Sequence, residues 1–153
     1  MRKLIALPAL AFALMLLVPG AAEVKEPLIG ELDVRYQYYD DDFAWKGYIS
    51  GDLNGWFEGY SEDGWAKGKT WFFMETWVIK EYNQETGEIG PMFLAGTDEG
   101  VISPNSHYTI NGVVTEAGEG YEHLIGRNIH ASGYITWDPT GWPLTAPGTF
   151  RIN

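Results

Sequence analysis

Phe43-Ala44-Trp45-Lys46-Gly47-Tyr48-Ile49-Ser50-Gly51-Asp52-Leu53-Asn54-Gly55-Trp56-Phe57-Glu58-Gly59 carries an apolar residue or glycine at every odd position. The even positions, with Lys46, Ser50, Asp52, Asn54 and Glu58, are mostly polar. A period of two is the signature of a strand with one dry and one wet face. The glycines at 47, 51, 55 and 59 recur on the dry face, where a sheet that curls or closes on itself has least room for side chains. The same spacing fits a small-xxx-small helix interface, but Asp52, Asn54 and Glu58 inside it exclude a membrane helix.

Within this stretch a two-residue turn at Asn54-Gly55 would put Glu58 among apolar side chains. A three-residue loop, Leu53-Asn54-Gly55, with a left-handed Gly55, keeps the dry faces together and sets Phe57 opposite Gly51 and Ile49 opposite Gly59. Large residues then face glycines across the pair.

Outward from this hairpin, Leu32, Val34, Tyr36 and Tyr38 alternate with Asp33, Arg35 and Gln37, giving a first strand that turns at Asp40-Asp41-Asp42. Trp65 to Tyr82 is the most apolar stretch after the N-terminus, and both of its faces are hydrophobic. It reads as a strand covered on both sides, because Thr, Trp, Phe, Val and Ile outnumber strong helix formers. Residues 83–90 form a polar loop, and 92–102, 108–115, 121–137 and 148–152 supply further strands. The expected fold is all-β: a single antiparallel β-barrel of about eight strands.

The first 22 residues are of another kind. Arg2 and Lys3 precede an apolar run from Leu4 to Val18, and Pro19-Gly20-Ala21-Ala22 is a small-residue exit. This is the pattern of a secretory signal peptide, with an uncleaved anchor as the alternative, and it places the folded part outside the cytoplasm. Cleavage leaves residues 23–153 as one barrel domain with a formal charge of −13 and no later membrane-spanning segment. That charge disfavours nucleic acid and anionic membrane surfaces. With no cysteine in the chain, an exported fold of this kind rests on sheet closure and its core rather than on disulfides.

Polar residues on dry faces are the candidate site. Glu75 is flanked by Trp71, Phe73 and Trp77, and on the 121–137 strand His123 and Arg127 share the odd face with Ile125 and Ile129. A buried carboxylate near a histidine and an arginine can anchor a ligand's polar end or move a proton. Glu75 and His123 are therefore the candidate proton-transfer groups; Trp45, Trp71, Phe73, Glu75, Trp77, His123 and Arg127 are the candidate ligand-binding set. The structural alternatives are a Glu75–Arg127 ion pair, or a bulge near Gly126 that turns His123 or Arg127 to solvent. No metal or cofactor is expected: there is no H-x-H or H-E-x-x-H spacing, no G-x-S-x-G, no cysteine nucleophile and no phosphate-binding glycine loop. The acids at 40–42 and the pair Asp98-Glu99 lack the ligand pattern of a calcium loop.

Phe93-Leu94-Ala95-Gly96, Asn111-Gly112-Val113-Val114, Glu116-Ala117-Gly118, Tyr121-Glu122-His123-Leu124-Ile125-Gly126 and the terminal Gly148-Thr149-Phe150 together resemble the allene oxide cyclase and dirigent-type barrels. The resemblance covers residues 45–152 and implies an eight-stranded barrel with an apolar cavity, often dimeric or trimeric, that binds or guides small lipophilic molecules. No catalytic residue of that superfamily transfers to a position here. The sequence supports an exported barrel that binds a small hydrophobic or aromatic molecule. The alternatives are a cyclase or isomerase acting through Glu75 or His123, and a small outer-membrane barrel.

Overall fold

The computed structural model describes residues 26–39 and 42–153. Residues 1–25, on which the expected signal peptide falls, and Asp40 and Asp41 lie outside the described residues. The chain forms β1 (Leu28–Tyr39), β2 (Asp42–Gly51), β3 (Gly55–Lys67), β4 (Thr70–Tyr82), β5 (Ile89–Ile102) and β6 (His107–Ala117). A short 3-10 turn (Glu122–Leu124) precedes β7 (Asn128–Tyr134), the small hairpin β8 (Thr136–Trp137) and β9 (Pro143–Thr145), and the closing strand β10 (Gly148–Ile152).

Strands β1 to β7 pair in sequence, all antiparallel, and β10 lies between β7 and β1. This is a closed eight-stranded antiparallel barrel. Closure leaves no free edge, which is how a sheet without disulfides satisfies its backbone donors and acceptors. The β8–β9 hairpin sits outside the ring, attached to β1 through the pair Arg35 and Thr145.

Glycines seat the large inward side chains. A Cβ on Gly100 would strike the Phe73 ring, one on Gly96 the Trp77 indole, and one on Gly30 the Phe150 ring. A methyl at Gly64 would lie 2.7 Å from Trp71. Each large side chain thus lies over a neighbouring strand that has no side chain of its own at that point, which packs a curved wall densely.

The β2–β3 pairing differs from the expected one by four residues. Ile49 faces Gly55, Gly47 faces Phe57 and Trp45 faces Gly59. Gly51, not Gly55, takes the positive φ, at 123°, and Leu53 folds into the core to be 4% exposed. Burying Leu53 requires the longer loop; because the shift is even, every side chain keeps its face.

Two strand boundaries also change. The expected stretch from Trp65 to Tyr82 is split at Gly68, whose φ is 65°, so Trp65 belongs to β3 and stacks on Phe72 of β4 at 5.7 Å. The outer face of β4 has no second layer, and Met74 stays exposed. Residues 121–127 are not strand: the chain makes the 3-10 turn and reverses at Gly126, with φ 81°.

The core is divided along the barrel axis. Toward one end, Ile49, Leu53, Trp77, Ile79, Leu94 and Val114 fill the interior, and Leu124 of the 3-10 turn plugs it with no exposed surface. Toward the other end a smaller cluster of Val34, Tyr108, Ile135 and Ala146 lines the wall.

Candidate functional site

The half of the barrel above the filled core is hollow. It encloses a cavity of about 770 Å³, within the size of sites that take small organic ligands. Its walls come from alternate residues of most strands: Tyr36, Trp45, Phe57, Phe73, Ile110 and Ile135. The alternation that makes a strand half dry thereby delivers one lining residue every second position. Tyr36 packs edge-on against Trp45, with ring centroids 5.0 Å apart.

The mouth lies where β3 meets β4 and where the β8–β9 hairpin folds across. Trp71, Trp137 and Trp142 border it and are 45%, 42% and 56% exposed. The hairpin is tied down by the Trp137 indole, which donates to Ser106 Oγ at 2.8 Å. Its turn is closed by Asp138, whose Oδ1 accepts from the backbone N–H groups of Thr140 and Trp142. Those bonds, the Thr140 hydroxyl first, hold the Asp138 carboxyl below the usual range.

Glu75 forms the polar floor of the cavity. It sits between Phe73 in the hollow half and Trp77 in the filled half, is 3% exposed, and its Oε2 has no hydrogen-bond partner. The carboxyl lies over Gly59, where a Cβ would be 2.5 Å from Oε1. Directly opposite on β5 is Asp98, also buried, with an unpartnered Oδ1. Burial, and then the neighbouring Asp98 charge, push the Glu75 carboxyl well above the ordinary carboxylate range. Burial raises Asp98 to about 7. Tyr108, whose hydroxyl donates to the Ala146 carbonyl at 3.2 Å, is also raised, by burial and by Glu75. A neutral Glu75 can donate to a ligand oxygen, and an ionised one can hold a cation.

The structure brings Trp45, Trp71, Phe73 and Glu75 together around this cavity. Trp77 points inward too, but it is 1% exposed and belongs to the packed half beneath the floor, with its indole over Gly96. His123 and Arg127 do not share a strand face with the core. His123 is exposed on the 3-10 turn, and Arg127 lies in the reversal before β7. The positive φ at Gly126 breaks the alternation that would have aimed both inward. They stand at the plugged end, away from the mouth, and the only salt bridge found among the described residues joins Lys80 and Glu58.

Asp98, which the sequence brought up only with Glu99 as a calcium-loop pair, is an inward residue of the site that was not among the candidates. Its signal was parity: it alternates with Gly96 and Gly100, both on the glycine-bearing inner face, whereas Glu99 points outward and is exposed. Trp137 and Trp142 carried no such signal, because their place at the mouth depends on the hairpin folding back across the barrel end.

No protein family, curated protein or solved structure matches the chain.

Proposed function

We propose that this barrel is a binding protein which takes a small hydrophobic or aromatic molecule into its hollow half, and that it acts outside the cytoplasm once residues 1–22 are removed. The observation that carries the reading is the cavity of about 770 Å³ with aromatic walls and a mouth bordered by tryptophans. A barrel built only for stability would fill both halves, as this one fills the half beneath Glu75. The eight-stranded barrel is the architecture that the resemblance to allene oxide cyclase and dirigent-type barrels implies.

The outward residues weigh against a membrane-embedded barrel. Glu31, Asp33, Arg35, Glu99, Asn111 and Arg151 are exposed at positions spread around the ring, where a membrane barrel needs a continuous apolar band. Among the described residues no helix is long and apolar enough to cross a membrane.

The test is saturable uptake of a neutral apolar dye, Nile red, by protein recovered without detergent. Binding at one site per chain is expected, weakened at least tenfold by Ile110→Trp, which places an indole in the hollow half. A signal that never saturates, or that ignores the variant while the variant melts like the parent, overturns the reading.

A second reading draws on the Glu75–Asp98 pair. Two adjacent buried acids with raised pKa values are suited to proton transfer, as a cyclase or isomerase would need. Under that reading, a compound carried by the native protein is converted by the parent and not by Glu75→Gln.

A further inference from the structure

We propose that the ligand of this cavity is a protonated lipophilic amine, with its N–H donor seated on the Glu75 carboxylate and its apolar body against the aromatic walls. The inference rests on the binding reading given above and adds the ligand's charge and donor chemistry.

The lining has one sign of charge. Glu62, Asp63 and Glu75 border the cavity, and among the described residues no lysine, arginine or histidine does. The first two sit at a bulge in β3, between Ser61 and Asp63, at the mouth; Glu75 sits at the floor. An anionic ligand would meet the Glu62 and Asp63 charges on entry and bring no counter-charge for Glu75 at the bottom. A cation would be drawn inward by the acids of the mouth and would favour the ionised form of Glu75, the more strongly because the walls exclude water.

Glu75 itself calls for a donor. Its Oε2 is buried and unpartnered, and Glu75 borders a cavity whose lining, among the described residues, offers no cation to satisfy it. A buried acceptor left without a hydrogen bond is costly, so a ligand that supplies an N–H gains more there than one that brings only apolar surface. Asp98, opposite Glu75 with its own unpartnered Oδ1, deepens the negative potential behind the floor. Trp45, Phe57, Phe73 and Tyr36, whose rings line the cavity, add π systems that favour a cation along the path. An N–H donor separates this proposal from a quaternary ammonium, which the rings would accept but which cannot hydrogen-bond to Glu75.

Proton linkage follows from the geometry. Burial shifts the Glu75 carboxyl toward its neutral form, so an ammonium seated on the carboxylate displaces a proton wherever that form prevails, and affinity rises with pH. The other ionisable groups around it are Asp98 of β5, Tyr108 of β6, Tyr36 of β1, and Glu62 and Asp63 of β3.

The experiment compares four ligands of one shape by titration calorimetry: 2-(1-naphthyl)ethylamine, its trimethylammonium analogue, neutral 1-propylnaphthalene and 3-(1-naphthyl)propanoate. The amine is expected to bind at least tenfold more tightly than the neutral compound, the trimethylammonium in between, and the carboxylate least. Glu75→Gln should remove the amine's advantage over the neutral compound. The parent-protein comparison stands even if that variant does not fold. If the neutral compound binds and the amine is no tighter, the charge inference is overturned and the binding reading survives. If no member of the series binds and Nile red is also refused, both fall.

Discussion

Glu75 on β4 stands directly opposite Asp98 on β5, and both carboxyl groups lie inside the barrel. Paired acids are costly in a dry wall, because neither desolvation nor their mutual repulsion favours ionisation. They mark the level at which the filled core ends and the cavity begins, and their titration should be visible in the stability of the whole barrel.

A carboxyl whose pKa is higher folded than unfolded stabilises the fold at low pH, and that contribution is lost as pH rises through the folded value. For Asp98 the window runs from 3.8 to about 7, and Glu75 shifts in the same direction. Asp98→Asn should therefore be more stable than the parent by ~1–4 kcal/mol at about pH 8, with the gap closing toward about pH 4. Urea unfolding across that range checks it. A gap that does not change with pH would show that Asp98 does not titrate in the folded protein.

Glu58 should show the opposite sign. It lies on the outer face, where burial alone would raise its pKa, but bonds from Lys80 at 2.7 Å, Tyr60 at 2.8 Å and Trp56 at 3.0 Å lower it overall. Its contribution is present above the unfolded carboxylate range and is lost as pH falls through the lowered folded value. Glu58→Gln should cost ~1–2 kcal/mol near neutral pH and progressively less in acid. Equal losses at neutral and acid pH would mean that shape rather than charge holds the cluster.

Two glycines separate steric from conformational need. A Cβ on Gly47 would strike the Asp33 carbonyl and lie 2.7 Å from the Val34 Cα, both backbone atoms of the paired strand. At Gly68 there is open space, but φ is 65°. Gly47→Ala should cost ~3 kcal/mol or prevent folding, and Gly68→Ala only ~1 kcal/mol. Thermal melts that rank them the other way would contradict the packing described for the barrel wall.

Trp77 and Trp71 lie six residues apart on the inner face of β4 and should behave differently. Trp77→Ala leaves a hole in the packed half and should cost ~3–5 kcal/mol. Trp71→Ala, at the exposed mouth, should cost ~1 kcal/mol or less and should weaken Nile red binding instead. Comparing unfolding midpoints with dye affinities distinguishes the filled half from the hollow one.

The odd-numbered face of residues 43–59 and the glycines along it were legible from the sequence, because side-chain period follows directly from strand geometry. Trp45, Trp71, Phe73 and Glu75 could be named as inward residues on that ground. The same logic failed for His123 and Arg127, and the alternative of a break near Gly126 is the one the chain adopts: its positive φ ends the alternation, which the apolar pattern by itself would have continued. It missed Asp98 for a related reason. An acid beside another acid has the composition of a solvated turn, and only strand pairing shows that Asp98 and Glu99 point to opposite sides of one wall.

By itself the sequence determined an all-β chain with a dry, glycine-bearing face, an aromatic interior and one carboxylate intruding on it. These properties depend on residues close together along the chain, where backbone geometry is nearly fixed. Tertiary structure alone decided that the interior is packed at one end and hollow at the other, that Glu75 meets Asp98 at the boundary, and that Trp137 and Trp142 border the opening. Those relations arise from register and ring closure, which bring distant segments together, and a shift of pairing would change them without altering the local pattern.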